Sequence, residues 1–129
     1  MIRILVDTDV LIDFTKGHDE SLGNLLSTQT KGKLILCTTP VNVAEFLTDS
    51  QLEEREKEHK AREFLSFFST CDITKAIGIL AGMYLRKKQS IFLGDALIAA
   101  CCVEGELLLA TRNRRHFSSI PKLQFYDAL

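Results

Sequence analysis

Short apolar, β-branched runs alternate along this chain with longer segments whose apolar residues recur every three or four positions, and that alternation admits few folds. Runs at residues 2–6, 34–37, 106–110 and 123–126, with a short fifth at 71–73, read as buried strands. Between them, residues 10–14, 22–28, 40–48, 51–68, 75–87 and 95–104 read as helices. In the segment 75–87, Ile77, Leu80, Ala81, Tyr84 and Leu85 fall on one face. Thr39-Pro40 supplies an N-cap and a proline for the first helical position, and Gly105 stands where a left-handed glycine would end the helix begun at Asp95. Strands separated by helices need crossover connections of one hand. The prediction is therefore an α/β fold with a central, mostly parallel sheet and helices on both faces. Ligands in such folds bind beyond the carboxyl ends of the strands.

A chain of 129 residues has room for one such sheet and one core, so a single domain over 1–129 is expected. With 46% hydrophobic and 26% charged residues it is neither a disordered nor a membrane-embedded composition. Its apolar run at residues 96–103 is far short of the roughly 18 residues that span a bilayer. Asp7 interrupts the opening run where a secretory signal would have to continue, so the expected location is the cytoplasm, with no membrane partner. Cys37, Cys71, Cys101 and Cys102 show neither a CxxC pair nor matching histidine spacing, and read as buried thiols. The mixed charges of residues 53–63 read as a solvated helix surface. A net charge of −1 excludes a broad basic face for nucleic acid. It leaves open an enzyme whose positive charge at a phosphate comes from bound metal.

The acids narrow the chemistry. Asp7 closes the first strand at the edge of the expected crevice, a good position for a metal ligand, although Asp7 or Asp9 can also cap the helix that follows. Glu45, within Val43-Ala44-Glu45-Phe46-Leu47, reads as core-facing, and a buried glutamate needs a partner or a metal. Asp95 follows Gly94 at the start of an apolar helix, where the helix dipole keeps a carboxylate ionised. Thr111 and Asn113 offer neutral oxygens at the crevice, and Arg112, Arg114 and Arg115 are the densest positive charge, suited to gripping phosphate. His116 reads as a boundary residue. Carboxylates gathered in one pocket raise each other's pKa unless cations neutralise them. Oxygen-only ligands select hard cations, hence Mg²⁺ or Mn²⁺, which polarise a phosphoryl oxygen and acidify bound water.

Asp7-Thr8-Asp9-Val10-Leu11-Ile12, Glu45 on its helix, Gly94-Asp95-Ala96-Leu97-Ile98-Ala99, and Thr111-Arg112-Asn113 before Phe117 resemble, in that order, the motifs of PIN domains and among them of the VapC toxins. The resemblance covers the whole chain. It implies a Mg²⁺- or Mn²⁺-dependent endoribonuclease in which Asp7, Glu45 and Asp95 are the catalytic, metal-holding acids. Asn113 would be a weak further ligand, with Thr8, Asp9 and Thr111 in support. It also implies a homodimer and a small antitoxin whose tail occupies the active-site groove. PIN domains often carry a fourth acid near the position of Asn113, and asparagine there weakens the hold on a second cation.

Other readings compete. Asp7-Thr8-Asp9-Val10-Leu11 also resembles the nucleophile loop of haloacid-dehalogenase-type phosphatases, but that class needs a late acid pair about four residues apart, and Ala99 stands four residues after Asp95. A PIN scaffold that only binds RNA or protein would be favoured by missing acids, whereas all three are present. A PIN-domain RNA-processing nuclease without an antitoxin has the same sequence chemistry.

Overall fold

β1 (Ile2–Val6) lies inside a four-stranded parallel sheet, between β2 (Leu34–Thr38) and β4 (Leu108–Ala110), with β3 (Ser69–Thr70) outside β2. The computed structural model describes residues 1–87 and 90–128. β1 pairs with β2 from Ile2↔Leu34 to Leu5↔Cys37, and with β4 from Ile4↔Leu108 to Val6↔Ala110. Both ladders therefore bring the carboxyl ends of their strands to one edge.

Alternation along the strands separates two cores. Ile4, Val6, Leu34, Leu36 and Ala110 face one side, where α1 (Thr8–Thr15), α2 (Ser21–Thr30) and α3 (Pro40–Phe46) deliver Val10, Leu11, Leu22, Leu25 and Phe46. Leu5, Cys37 and Leu109 face the other, covered by α5 (Lys75–Lys87) and α6 (Leu93–Gly105). α5 presents Ile77, Ala81 and Tyr84 inward, as its periodicity predicts. α6 buries Ala96, Ile98, Ala99, Ala100, Cys101 and Cys102, most of its circumference, because it is sandwiched between the sheet and α5. Each fully buried Leu or Ile contributes about 1.5–3 kcal/mol. α4 (Arg55–Leu65) buries no residue fully and carries ion pairs three and four residues apart, the solvated surface expected of it. It is held to the body by Phe64, whose ring stacks on Phe14 at 5.8 Å and meets Phe68 edge-on at 5.3 Å. No helix among the described residues is long and apolar enough to cross a membrane.

Several boundaries differ from expectation, each for a local reason. The segment 51–68 is not one helix: Asp49 caps a 3-10 turn (Ser50–Glu53), Glu54 is extended, and α4 starts afresh after it. The strand expected at 71–73 is β3, two residues earlier; Cys71 N–H still donates to the Thr38 carbonyl at 2.8 Å, but β2 ends there as Thr39 turns to cap α3. The strand expected at 123–126 is a single bridge between Leu109 and Phe125, because Pro121 has no N–H and Lys122 is left-handed (φ 67°), so the chain meets β4 at one point. Gly105 is the last helical residue and Glu106 takes the left-handed cap (φ 55°, ψ 47°). The reversal falls one residue late because Leu107 must enter the core, its N–H closing on the Cys102 carbonyl at 2.9 Å. β4 accordingly begins at Leu108 rather than 106, and the non-glycine conformation costs about 1–2 kcal/mol. The four cysteines are free thiols; Cys37, Cys101 and Cys102 are buried and Cys71 is partly so.

Candidate active site

Asp7 is the first residue beyond β1, and its own N–H extends the ladder to the Ala110 carbonyl at 2.9 Å. It caps α1: Oδ1 accepts from Thr8 N–H at 2.8 Å. Oδ2 accepts from the Thr111 hydroxyl at 2.8 Å, so the residues that follow two neighbouring strands are joined across 104 positions of sequence. Asp7 is 7% exposed. That burial, reinforced by the charges of Asp9 and Asp95 and opposed by the Thr111 and Thr8 hydrogen bonds, raises its carboxyl to about 6.

Thr8 links the first acid to the second. Its hydroxyl donates to Glu45 Oε1 at 2.6 Å and accepts from Asn42 Nδ2 at 3.1 Å. Asn42, fully buried, also brings Nδ2 to 3.4 Å from Asp7 Oδ1. Its own Oδ1 accepts from Thr39 N–H (3.0 Å) and hydroxyl (2.8 Å), while Thr39 Oγ1 accepts from Asn42 N–H (3.2 Å). This capping box starts α3 and fixes the angle at which Glu45 leaves it. Glu45 itself is exposed, contrary to the core-facing expectation: α3 turns Asn42 and Phe46, four apart, to the interior, and Glu45 sits at the rim. Beside it opens a groove of about 830 Å³ between α1, α3 and α4, with Ile12, Phe46 and Phe64 among its apolar lining and Lys16, Lys57 and Lys60 among its charges.

Asp95 lies in the first turn of α6, its side chain 20% exposed, with Oδ2 3.6 Å from His116 Nδ1. Gly94 sits beside α3: a Cβ there would stand 3.4 Å from Val41 Cγ1 and 3.7 Å from Glu45 Oε2, ordinary contact distances. Burial raises the Asp95 carboxyl, His116 lowers it, and the charges of Glu45 and Asp9 raise it again. Asp9, in the first turn of α1, accepts through Oδ2 from Arg112 N–H (3.1 Å) and Asn113 Nδ2 (2.9 Å). Its Oδ1 is buried and has no hydrogen-bond partner among the described residues. Asn113 N–H in turn donates to Thr111 Oγ1 at 3.1 Å.

The three arginines are not equivalent. Arg112 spends its guanidinium inside the chain, Nε on Asp13 at 2.8 Å and Nη2 on Asp19. Arg114 pairs with Asp127 at 2.7 Å, donates to the Tyr126 carbonyl at 3.0 Å and lies over the Phe125 ring. Of the three arginines expected to grip phosphate, two are thus also engaged in holding loops, and Arg115 alone of them is exposed without an ion pair among the described residues.

The donor set fits a hard cation. It consists of carboxylates and hydroxyls, it holds more negative charge than it neutralises, and one carboxylate oxygen is buried without a hydrogen bond. As they stand, no three acidic, histidine or cysteine side chains among the described residues are gathered closely enough to enclose an ion.

The PIN domain family profile matches residues 4–123. The chain belongs to the PIN domain family. It is 34% identical over 125 residues to Ribonuclease VapC10 of Mycobacterium tuberculosis, covering 94% of this chain and 90% of that one. The same fold occurs in VapBC2 of Rickettsia felis bound to a promoter DNA fragment (TM-score 0.81, 22% identity, 97% of this chain and 98% of that one). It occurs again in DNA-bound VapBC of Salmonella typhimurium (TM-score 0.82, 21% identity, 98% of each). Membership in this family removes support from the phosphatase reading. Two parts of this PIN domain escape sequence reasoning. Asn42 carried one usable signal, its place three residues after the Thr39 cap, where capping boxes put a polar side chain. The Arg112 pairs with Asp13 and Asp19 carried none.

Proposed function

We propose that this PIN domain is a divalent-metal-dependent endoribonuclease and the toxin of a VapBC-like toxin–antitoxin pair. The observation that carries the reading is the linkage of Asp7 to Glu45 through Thr8, with Asp95 brought alongside across Gly94, at the carboxyl ends of parallel strands. Similarity to a protein named a ribonuclease, and to structures of VapBC complexes, supports the RNA substrate and the small antitoxin partner.

Asp7, Glu45 and Asp95 would hold Mg²⁺ or Mn²⁺, with the Asn113 amide as a weaker neighbour. Bound there, such an ion supplies the positive charge that polarises a phosphoryl oxygen and acidifies a water molecule. Thr8 and Thr111 fix the carboxylates of Glu45 and Asp7, so that neither rotates away when substrate enters. Glu45, exposed at the rim, is the acid best placed to accept a proton from the attacking water. Arg115 meets an RNA phosphate, while Arg112 and Arg114 keep the loop beside it in shape. Exposed Phe92 and Leu93, at the start of the helix bearing Asp95, support a homodimer through that end of α6. A cytoplasmic location fits this role.

The test uses metal-stripped protein and mixed structured RNAs, with Mn²⁺ and with excess chelator, followed by mapping of the cleaved ends. Cleavage is expected only with Mn²⁺, leaving 5′-phosphate and 3′-hydroxyl ends. Equal cleavage in chelator sinks the metal-dependent reading. Cyclic 2′,3′-phosphates would identify the RNA's own hydroxyl as nucleophile. For the partner, the product of an adjacent short reading frame should co-purify and stop cleavage.

A further inference from the structure

Asp9 is built unlike a residue whose task is only to tie α1 to the loop after β4. One oxygen does all of that tying: Oδ2 accepts from Arg112 N–H at 3.1 Å and Asn113 Nδ2 at 2.9 Å. Oδ1 is buried with no hydrogen-bond partner among the described residues, an arrangement that is costly for an ionised carboxylate. A neutral acceptor would serve the same two donors without that cost. The nearest guanidinium offsets that cost only in part: Arg112 is turned to Asp13 and Asp19 and hydrogen-bonds Asp9 through its backbone N–H alone, and burial still raises the Asp9 carboxyl. The charge of Asp9 is felt at both Asp7 and Asp95, which places it in the same acidic group.

We infer that Asp9 is the fourth carboxylate of the metal centre, supplying the charge that Asn113 does not, while Asn113 aims it. The inference rests on the metal-dependent reading above. Asp7, Glu45, Asp95 and Asp9 together carry four negative charges, which two divalent ions balance. The hydrogen bond from Asn113 keeps Oδ2 engaged, and Oδ1 is the oxygen left without a hydrogen bond among the described residues. A carboxylate at 113 with Asp9 retained would set two like charges across that 2.9 Å contact, so one acid and one amide is the arrangement this contact accepts.

The experiment is calorimetric titration of the RNA-free protein with Mn²⁺, paired with thermal melting with and without Mn²⁺. The chain as it stands is compared with Asp9→Asn and with the double exchange Asp9→Asn/Asn113→Asp, which moves the carboxylate to the other side of the same contact. Asp9→Asn should melt no lower than the unaltered protein in chelator. It should bind Mn²⁺ about tenfold more weakly or worse and lose most of the Mn²⁺-induced rise in melting temperature. The double exchange should recover much of both. Asp9→Ser, which keeps a small acceptor for Arg112 N–H and removes the charge, repeats the comparison if the amide disturbs the loop. Mn²⁺ affinity within about threefold of the unaltered protein in both single variants would overturn the inference and leave the nuclease reading standing. An unaltered protein that binds no Mn²⁺ would overturn both.

Discussion

Replacing Asn42 by alanine should damage the fold and the acidic centre together. The amide is fully buried, and its removal leaves Thr39 N–H, also fully buried, without the acceptor that now stands 3.0 Å away. An orphaned buried donor costs about 1–3 kcal/mol. The hydroxyls of Thr39 and Thr8 each lose a partner as well, while the Thr39 cap on residue 42 N–H survives. The total is about 3 kcal/mol, a large share of the roughly 5–15 kcal/mol that stabilises a typical domain. At about 4 °C per kcal/mol for a chain of this length, the melting temperature should fall by roughly 12 °C. Urea unfolding in chelator measures it directly. Asn42→Asp makes a sharper companion, because it keeps the acceptor for Thr39 but sets a carboxyl oxygen where Nδ2 now stands, 3.4 Å from Asp7 Oδ1. Like charge raises the folded-state pKa of such a carboxyl, so its cost is small at low pH and grows as pH rises. A loss below about 1 kcal/mol for Asn42→Ala, or a pH-independent loss for Asn42→Asp, would refute the assignment of this network.

Three further outcomes are expected. Asp7, raised to about 6 by burial and by Asp9, gives metal-free protein stability that is present below its unfolded value of 3.8 and lost as pH rises through 6. Asp7→Asn should remove that slope, worth at most about 3 kcal/mol, and identical pH dependence of urea midpoints in chelator would contradict it. Glu106→Gly should stabilise by up to about 1 kcal/mol by relieving the left-handed cap, and a lower melting temperature would show that the Glu106 side chain contributes more than its backbone costs. Arg115→Ala should weaken RNA binding and reduce the salt slope by about one phosphate contact, whereas an unchanged slope would return this residue to the solvent.

What the sequence disclosed was what local rules control. β1 ends at Val6, just before Asp7, because the apolar run ends there, and α5 spans Lys75–Lys87 because its apolar period is unbroken. Glu45 shows where such reasoning fails: a pattern read from hydrophobicity assigns the inward face to apolar residues, and here that face includes a polar one, Asn42. The contact between Asp9 and Asn113 joins residues 104 apart and exists only because β1 and β4 are neighbours, a pairing that no local pattern specifies. The arginines misled for a related reason. Their charge was legible, but Asp13, Asp19 and Asp127, which claim two of them, are separated from them by the fold or by a turn.

The pairing of β1 with β4 also has a consequence for the order in which a growing chain matures. Asp7 takes its backbone acceptor from Ala110 and its hydroxyl donor from Thr111, the latter 104 residues further along the polypeptide. Contacts so remote in sequence form late, after the local helices. A fragment still on the ribosome and ending before Leu108 already contains Asp7, Glu45 and Asp95, yet it lacks the strand that seats the first of them. The acidic centre is thus completed only once the segment from Leu108 to Thr111 has been made and has paired with β1.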